Sequence, residues 1–255
     1  MIDKIMELYK ERTKKDCYKI EIEDGVTPEV MDDKLGGIPY LPVGEEYPLD
    51  KKGNPMVLAI QVNLENIDLE DFPKKGILEI YIDKDLDWPC DYKVKYFKEI
   101  TDYRKDIELV ESYMYEKPLK IKLVKDIDHM SPNDYKFPEV MGSIIKEVTG
   151  NELNTYFDIW DYIEEQTEEE DPFDAFNEYN VNNFPGNVSG YPDFTQTDPR
   201  PIKGSEDKTE CLVKIDSNLR HGVMIGDSGI LFAFISKEDL KAGNLETAVV
   251  DWDCC

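Results

Sequence analysis

The 255-residue chain is poor in the side chains that most enzyme chemistry needs. It has two histidines, His129 and His221, and neither stands at ligand spacing from another histidine or a cysteine. There is no H-E-x-x-H, paired C-x-x-C, G-x-G-x-x-G, P-loop or G-x-S-x-G. Zinc hydrolysis, dinucleotide binding, phosphate cradling and a nucleophile elbow therefore have no support in the sequence, and neither a metal nor a cofactor is predicted. The five cysteines (Cys17, Cys90, Cys211, Cys254 and Cys255) are an odd set that fits reduced thiols better than a disulfide framework. No run of 18 apolar residues exists, so no membrane-spanning helix is predicted. The opening "MIDKIMELYKERTKKD" lacks the apolar stretch of a secretory signal, and the expected location is the cytoplasm. Positive charge is scarce too. Thirty Lys and Arg face 56 Asp and Glu, a formal net charge of −26. Phosphate backbones and anionic lipid surfaces both need cationic neutralisation, so nucleic acid and membrane are poor partners. Long-range attraction favours a basic partner instead.

What is present is an apolar fraction of 40%, with 15 Tyr and 10 Phe, ample for a core. The spacing of Ile2, Ile5, Met6 and Tyr9 predicts an amphipathic N-terminal helix. Alternation predicts a strand in "CYKIEIE", and others in "PMVLAIQVNL", "GILEIYID", "KVKYFKEI", "LKIKLVKDI", "CLVKID", "GILFAFI" and "TAVVDW". Residues 34–48, "KLGGIPYLPVGEEYP", hold six Gly and Pro and read as a loop laid over the core, not as helix or central strand. Residues 138–180 change to helical spacing and carry the acidic run Glu164, Glu165, Glu168, Glu169, Glu170, Asp171.

"GILEIYI" at 76–82 returns as "GILFAFI" at 229–235, an offset of 153 residues. The same offset carries Gly37-Ile38-Pro39 onto Gly190-Tyr191-Pro192, and Ile60, Val62 and Asn63 onto Val213, Ile215 and Asp216. A fourth echo, Asp87-Trp88-Pro89-Cys90 against Asp251-Trp252-Asp253-Cys254, sits at offset 164 and would need an insertion. The expected architecture is α+β. A single domain body (1–255) combines two pseudo-symmetric β-rich halves from an internal duplication, at about 30–100 and 185–255. A helical insert at about 138–180 and the N-terminal helix complete it. Glu79 and Tyr81 stand where Phe232 and Phe234 do, so the first copy is expected to turn one face toward water or a partner.

Chemistry is harder to place. Asp83, Asp85 and Asp87 have the first three spacings of a calcium loop. Trp88 then stands where a turn Gly belongs and Val94 where a bidentate Glu belongs, so an acidic turn is the better reading. Asp227 in "GDSG" suits a turn cap. Gln61, Asn63 and Asp216 are polar positions inside apolar strands, either satisfied internally or lining a cleft between the halves together with Asp227.

These blocks also resemble the YwqG-like family, bacterial proteins of unknown function. The resemblance rests on Leu35-Gly36-Gly37-x-Pro39-x-Leu41-Pro42-x-Gly44 with Pro48, Gln61-Val62-Asn63-Leu64 and Gly76-Ile77-Leu78. It continues through Gly190, Gln196, Ile215-Asp216-Ser217, Gly226-Asp227-x-Gly229-x-Leu231-x-x-Phe234-Ile235, Asp239-Leu240 and Cys254. Tyr47 departs from the pattern, where Trp is usual. The resemblance implies an α+β fold and a bacterial cytosolic setting, with no catalytic residues to carry over. Some relatives lie in toxin–immunity gene neighbourhoods. Two functional readings follow. One is a non-enzymatic binding protein, with an immunity-type inhibitor of a basic partner as one form of it, docking through Trp160, Glu164, Glu165, Glu168 and Glu169. The other is a small-molecule binder or hydrolase with a cleft between the halves at Gln61, Asn63, Asp216 and Asp227.

Overall fold

The computed structural model of the chain describes residues 1–87, 89–166, 176 and 185–254. Helix α1 (Ile2–Thr13) leads into β1 (Lys15–Ile22). Strands β2 (Lys34–Leu35), β3 (Val57–Asn63), β4 (Ile77–Ile82), β5 (Tyr92–Phe97) and β6 (Leu119–Asp128) follow. Next come α2 (Phe137–Thr149) and α3 (Tyr156–Gln166). The chain then returns to strand with β7 (Gly186–Ser189). A short helix α4 (Arg200–Lys203) precedes β8 (Glu210–Asp216) and β9 (Ile230–Ile235). Helix α5 (Lys237–Ala242) and β10 (Val249–Asp253) close the order.

The ten strands form one antiparallel sheet in the order β10-β9-β8-β7-β1-β6-β2-β3-β4-β5. It curls into a nearly closed, barrel-like body whose edges β5 and β10 meet. The Val250 backbone N–H donates to the Tyr92 hydroxyl, and Tyr96 N–H donates to Glu246 Oε1 at 3.5 Å. Inward side chains from both ends of the sheet share one core, among them Ile60, Val62, Leu78 and Ile80 with Val213, Ile215, Leu231 and Ala233. Near-closure leaves few exposed edges, which suits a fold this rich in β-branched residues. A second core lies between the helices. The apolar stripe of α1 (Ile5, Met6, Tyr9) packs on Phe137, Met141, Ile144 and Ile145 of α2.

The bounds of β3 and β4 reappear in β8 and β9 after 153 residues (57 to 210, 77 to 230). A register shift at Leu58/Ile60 reappears at Cys211/Val213. Gly36 and Ser189, also 153 apart, share a φ of 64°.

Three expectations need correction. The Trp-x-Cys echo is not a register equivalence. Phe97 opposes Ile77 and Asp253 opposes Ile230, so β10 follows β5 by 156 residues (97 to 253), whereas 87–90 precede β5 and residue 88 lies outside the described residues. The Gly/Pro segment does contain a central strand, since Lys34 and Leu35 pair with both β3 and β6. Two residues suffice because the strand stops before Gly36. That glycine's φ of +64° and the Tyr115 ring, 2.9 Å from where a Cβ would stand, suit glycine alone. Finally, Glu79 and Tyr81 do not face water. Both are 0% exposed, because residues 28–48 fold back over them.

Candidate functional site

The buried face of the first half carries an unusual row. Cross-strand register sets Lys34 opposite Gln61 and Gln61 opposite Glu79, so three polar side chains share one face. None is more than 1% exposed. Lys34 Nζ donates to the carbonyls of Glu29 (2.9 Å) and Val30 (2.6 Å). Gln61 Nε2 donates to the carbonyls of Val30 (2.7 Å) and Asp32 (2.9 Å), while its Oε1 accepts from Tyr40 N–H at 2.7 Å. Two side chains of the sheet thus fix the loop that covers them. Behind them, Glu79 Oε2 accepts from the Tyr81 hydroxyl at 2.7 Å, and Oε1 is buried with no hydrogen-bond partner. Burial pushes the Glu79 carboxyl up to about 8, against the opposing pull of the Tyr81 hydroxyl and Lys34. Burial likewise pushes Lys34 down to about 8, against the carboxylates of Glu79, Asp32 and Asp33.

The strapped loop shapes the surface outside it. A concavity of about 480 Å³ opens between residues 27–31, Gly37, Ile38, Tyr103, Leu109 and Pro118. A second of about 260 Å³ shares Gly37, Leu109 and Pro118 with it and adds Val57, Glu111, Tyr115 and Glu116. A third of about 270 Å³ also touches Pro118 and reaches Leu219, Arg220 and His221 of the β8–β9 connection. There His221 Nδ1 lies 3.0 Å from Asn218 Oδ1 and its Nε2 3.4 Å from Asp24. The three form one groove around Pro118. Its floor is apolar (Val30, Met31, Ile38, Leu109), and Leu109 remains 47% exposed. Its rim is acidic at Asp24, Glu29, Glu111 and Glu116, against Lys117 and Arg220. A groove of this kind holds apolar groups and a cation. Among the described residues, no group of three or more His, Cys, Asp or Glu is placed to hold a metal ion.

The residues singled out from sequence are scattered. Gln61 has both ends of its amide bonded inside the fold, as above. Asn63 Oδ1 caps a short turn by accepting Glu65 N–H at 3.1 Å. It also lines a polar concavity of about 610 Å³ with Asp33, Asn66 and Lys120. Asp216 lies at the end of β8, 3.7 Å from Lys214. Burial raises its pKa, and the nearby Asp193 and Asp128 add to that against Lys214. Asp227 is an exposed turn residue. Of the four, only Asn63 lines one of these concavities.

On α3, Glu164 and Glu165 are exposed, and Glu168 and Glu169 lie outside the described residues. Trp160 is half-buried, stacked against Tyr156 at 5.5 Å and Phe176 at 6.1 Å. Its ring therefore belongs largely to the helical core, and Phe176 is itself buried. Asp83 accepts the N–H groups of Asp87 and Asp91, the acidic turn that its spacing suggested. Sequence reasoning missed Leu109 and Pro118 altogether. The one signal was Ile107 and Leu109, apolar side chains standing among the charges of "KDIELVES".

A family model described as "Domain of unknown function (DUF1963)" matches residues 33–254, and the chain belongs to that family. No curated protein matches it.

Proposed function

We propose that this DUF1963 protein is a non-enzymatic, cytoplasmic binding protein of the YwqG-like kind. On this reading it arose by internal duplication, and it captures a basic protein partner at the groove around Pro118, an immunity-type inhibitor being one form of such a protein. The observation that carries the reading is the groove itself, with an apolar floor, an acidic rim and walls fixed from beneath by Lys34 and Gln61. Preformed walls reduce the ordering cost of binding. The net charge of −26, with Glu164 and Glu165 exposed on α3, adds long-range steering of a cation.

A photo-crosslinking amino acid at position 109, introduced in the native cell, tests this. The same probe at Ile202, exposed and outside the groove, is the control. A discrete adduct with a basic protein at 109 alone is expected, and its association should slow with added salt. Equal background at both positions would sink the reading. A small-molecule or hydrolase site between the halves, using Gln61, Asn63, Asp216 and Asp227, is favoured by one observation, the polar concavity that Asn63 lines. A small ligand whose binding is lost in Asn63→Ala but kept in Leu109→Asp would select that alternative.

A further inference from the structure

One wall of the groove is unusual in its backbone. From residue 105 to residue 111, no main-chain N–H or C=O bonds to another backbone group among the described residues. Among the described residues, the one side-chain cap on these groups is local: Asp106 N–H donates to its own carboxylate, which also takes the Arg104 guanidinium. No strand includes the segment, and none of its residues has a positive φ. Backbone donors and acceptors are normally paired, so seven consecutive residues without a main-chain partner among the described residues form an unused edge. That edge runs beside the groove, since Leu109, Val110 and Glu111 line it. On both sides the chain is anchored. Arg104 N–H donates to the Leu41 carbonyl at 2.8 Å, and Glu116 N–H to the Gly222 carbonyl at 3.0 Å. The edge is thus held at its ends and open along its length.

We infer that the partner enters as an extended peptide segment, paired main chain to main chain along 105–111, with apolar side chains alternating with Lys or Arg. This rests on the binding reading above and adds the form of the occupant. An added strand brings its side chains alternately to one face. One set meets Ile38, Leu109 and Pro118 in the two concavities that flank Leu109. The other set falls on the face of Asp106 and Glu108, both exposed, and the rim carboxylates of Glu29, Glu111 and Glu116 add to the acidic field around the segment. Glu29 also holds the Lys34 ammonium through its backbone carbonyl, so its side chain is left for a ligand cation. Charge complementarity disfavours an acidic segment, because the two concavities that flank Leu109 carry those three carboxylates against Lys117 alone.

The test pans a displayed random-peptide library against the full chain, then repeats the binding with Leu109→Asp and with Glu111→Lys/Glu116→Lys. Leu109 is exposed, so Leu109→Asp should leave the melting temperature unchanged, which is checked first. The expected result is enrichment of peptides alternating apolar and basic residues. Affinity should fall about tenfold or more in each variant. Amide hydrogen exchange should be fast over 105–111 in the free protein and slowed in the complex. Enriched peptides that are acidic or of helical period, or that bind Leu109→Asp equally well, would overturn the inference. So would unprotected amides at 105–111. If the library yields nothing while the crosslinker at 109 still traps a basic protein, the extended-segment inference fails and the binding reading stands.

Discussion

Strands β3–β4 and β8–β9 run at one offset and carry the same bulge, yet their outer faces differ where β4 carries Glu79 and Tyr81 and β9 carries Phe232 and Phe234. Above β3 and β4 lie Gln61, bonded to the covering Gly/Pro loop, and Glu79 and Tyr81, bonded to each other. Above β9 lie Phe232 and Phe234, with Phe194 edge-on at 5.1 Å from Phe232. Lys214 stays polar on β8, buried opposite Phe232, and a second buried charge lies in the cover. Arg200 is sandwiched between the rings of Tyr135 (4.7 Å) and Phe234 (4.8 Å). Its guanidinium donates to Asp134 at 2.8 Å and to Asp198 at 2.6 Å. This covering charge is thus neutralised locally by two carboxylates, while Lys214 has Asp216 at 3.7 Å. In the first half Lys34 is held by carbonyls and Glu79 keeps one oxygen unpartnered. Lys34 thus bonds neutral carbonyls where Arg200 bonds carboxylates, and the loop that Lys34 anchors lines the groove. A surface loop held by buried polar bonds keeps a fixed shape without an apolar plug, which leaves apolar surface outside free to meet a ligand.

The comparison breaks most sharply at Arg200. Arg200→Met should cost about 3–5 kcal/mol in urea denaturation, because Asp134 and Asp198 are left buried without a counter-charge. Adding Asp134→Asn should recover part of that loss. If Arg200→Met is neutral, the cover of the second half is not held by charge.

The counterpart in the first half is Lys34→Met, expected to cost less, about 2 kcal/mol, since two neutral carbonyls lose a donor and one of them keeps Gln61. Its distinguishing sign is local. Amides of residues 29–32 should exchange faster, while those of β8 and β9 stay unchanged.

Glu79 gives the comparison a pH axis. Its carboxyl is raised from 4.5 to about 8 by burial, so the folded state keeps a proton that the unfolded chain sheds above pH 4.5. Stability from this group is therefore full below pH 4.5 and falls as pH rises toward 8. Lys34, lowered from 10.5 to about 8, acts oppositely above pH 8, where the unfolded chain holds the extra proton and stability turns upward. Glu79→Gln should gain a few kcal/mol over wild type near pH 8 and little at pH 4. The difference between the two denaturation curves checks it, and a difference independent of pH would refute the assignment.

How much of this was legible follows from which signals are local. Strand alternation and the 153-residue offset are periodic patterns, and β3, β4, β8 and β9 emerge from them at the expected places. Glu79 illustrates the limit. A Glu in a strand reads as solvent-facing, and only the return of residues 28–48 over the sheet buries it. That return depends on Gln61 and Lys34 bonding carbonyls of residues 29–32, contacts invisible to periodicity. The groove is further still from sequence, since Ile38, Leu109 with Pro118, and Leu219 come from three separate connections. The Trp-x-Cys echo misled for the converse reason. Matching letters carry no register, and register is set by pairing.

The smallest effect isolates a single backbone position. Gly36 and Ser189 share a φ of 64°, but only the second carries a side chain. Left-handed backbone costs a non-glycine residue about 1 kcal/mol. Ser189 offsets that cost, because its Oγ donates to the Asp16 carbonyl at 3.2 Å. Ser189→Gly would relieve the strain and lose the bond, so the two changes should nearly cancel, with a net effect within about 0.5 kcal/mol. Gly36→Ser meets the same φ without that partner, and its Cβ would stand 2.9 Å from the Tyr115 ring. It should cost about 2 kcal/mol, and because Tyr115 lines the groove it should weaken peptide binding as well. Equal costs for the two substitutions would mean that the shared dihedral governs both sites. Unequal costs would assign the difference to the groove-side ring.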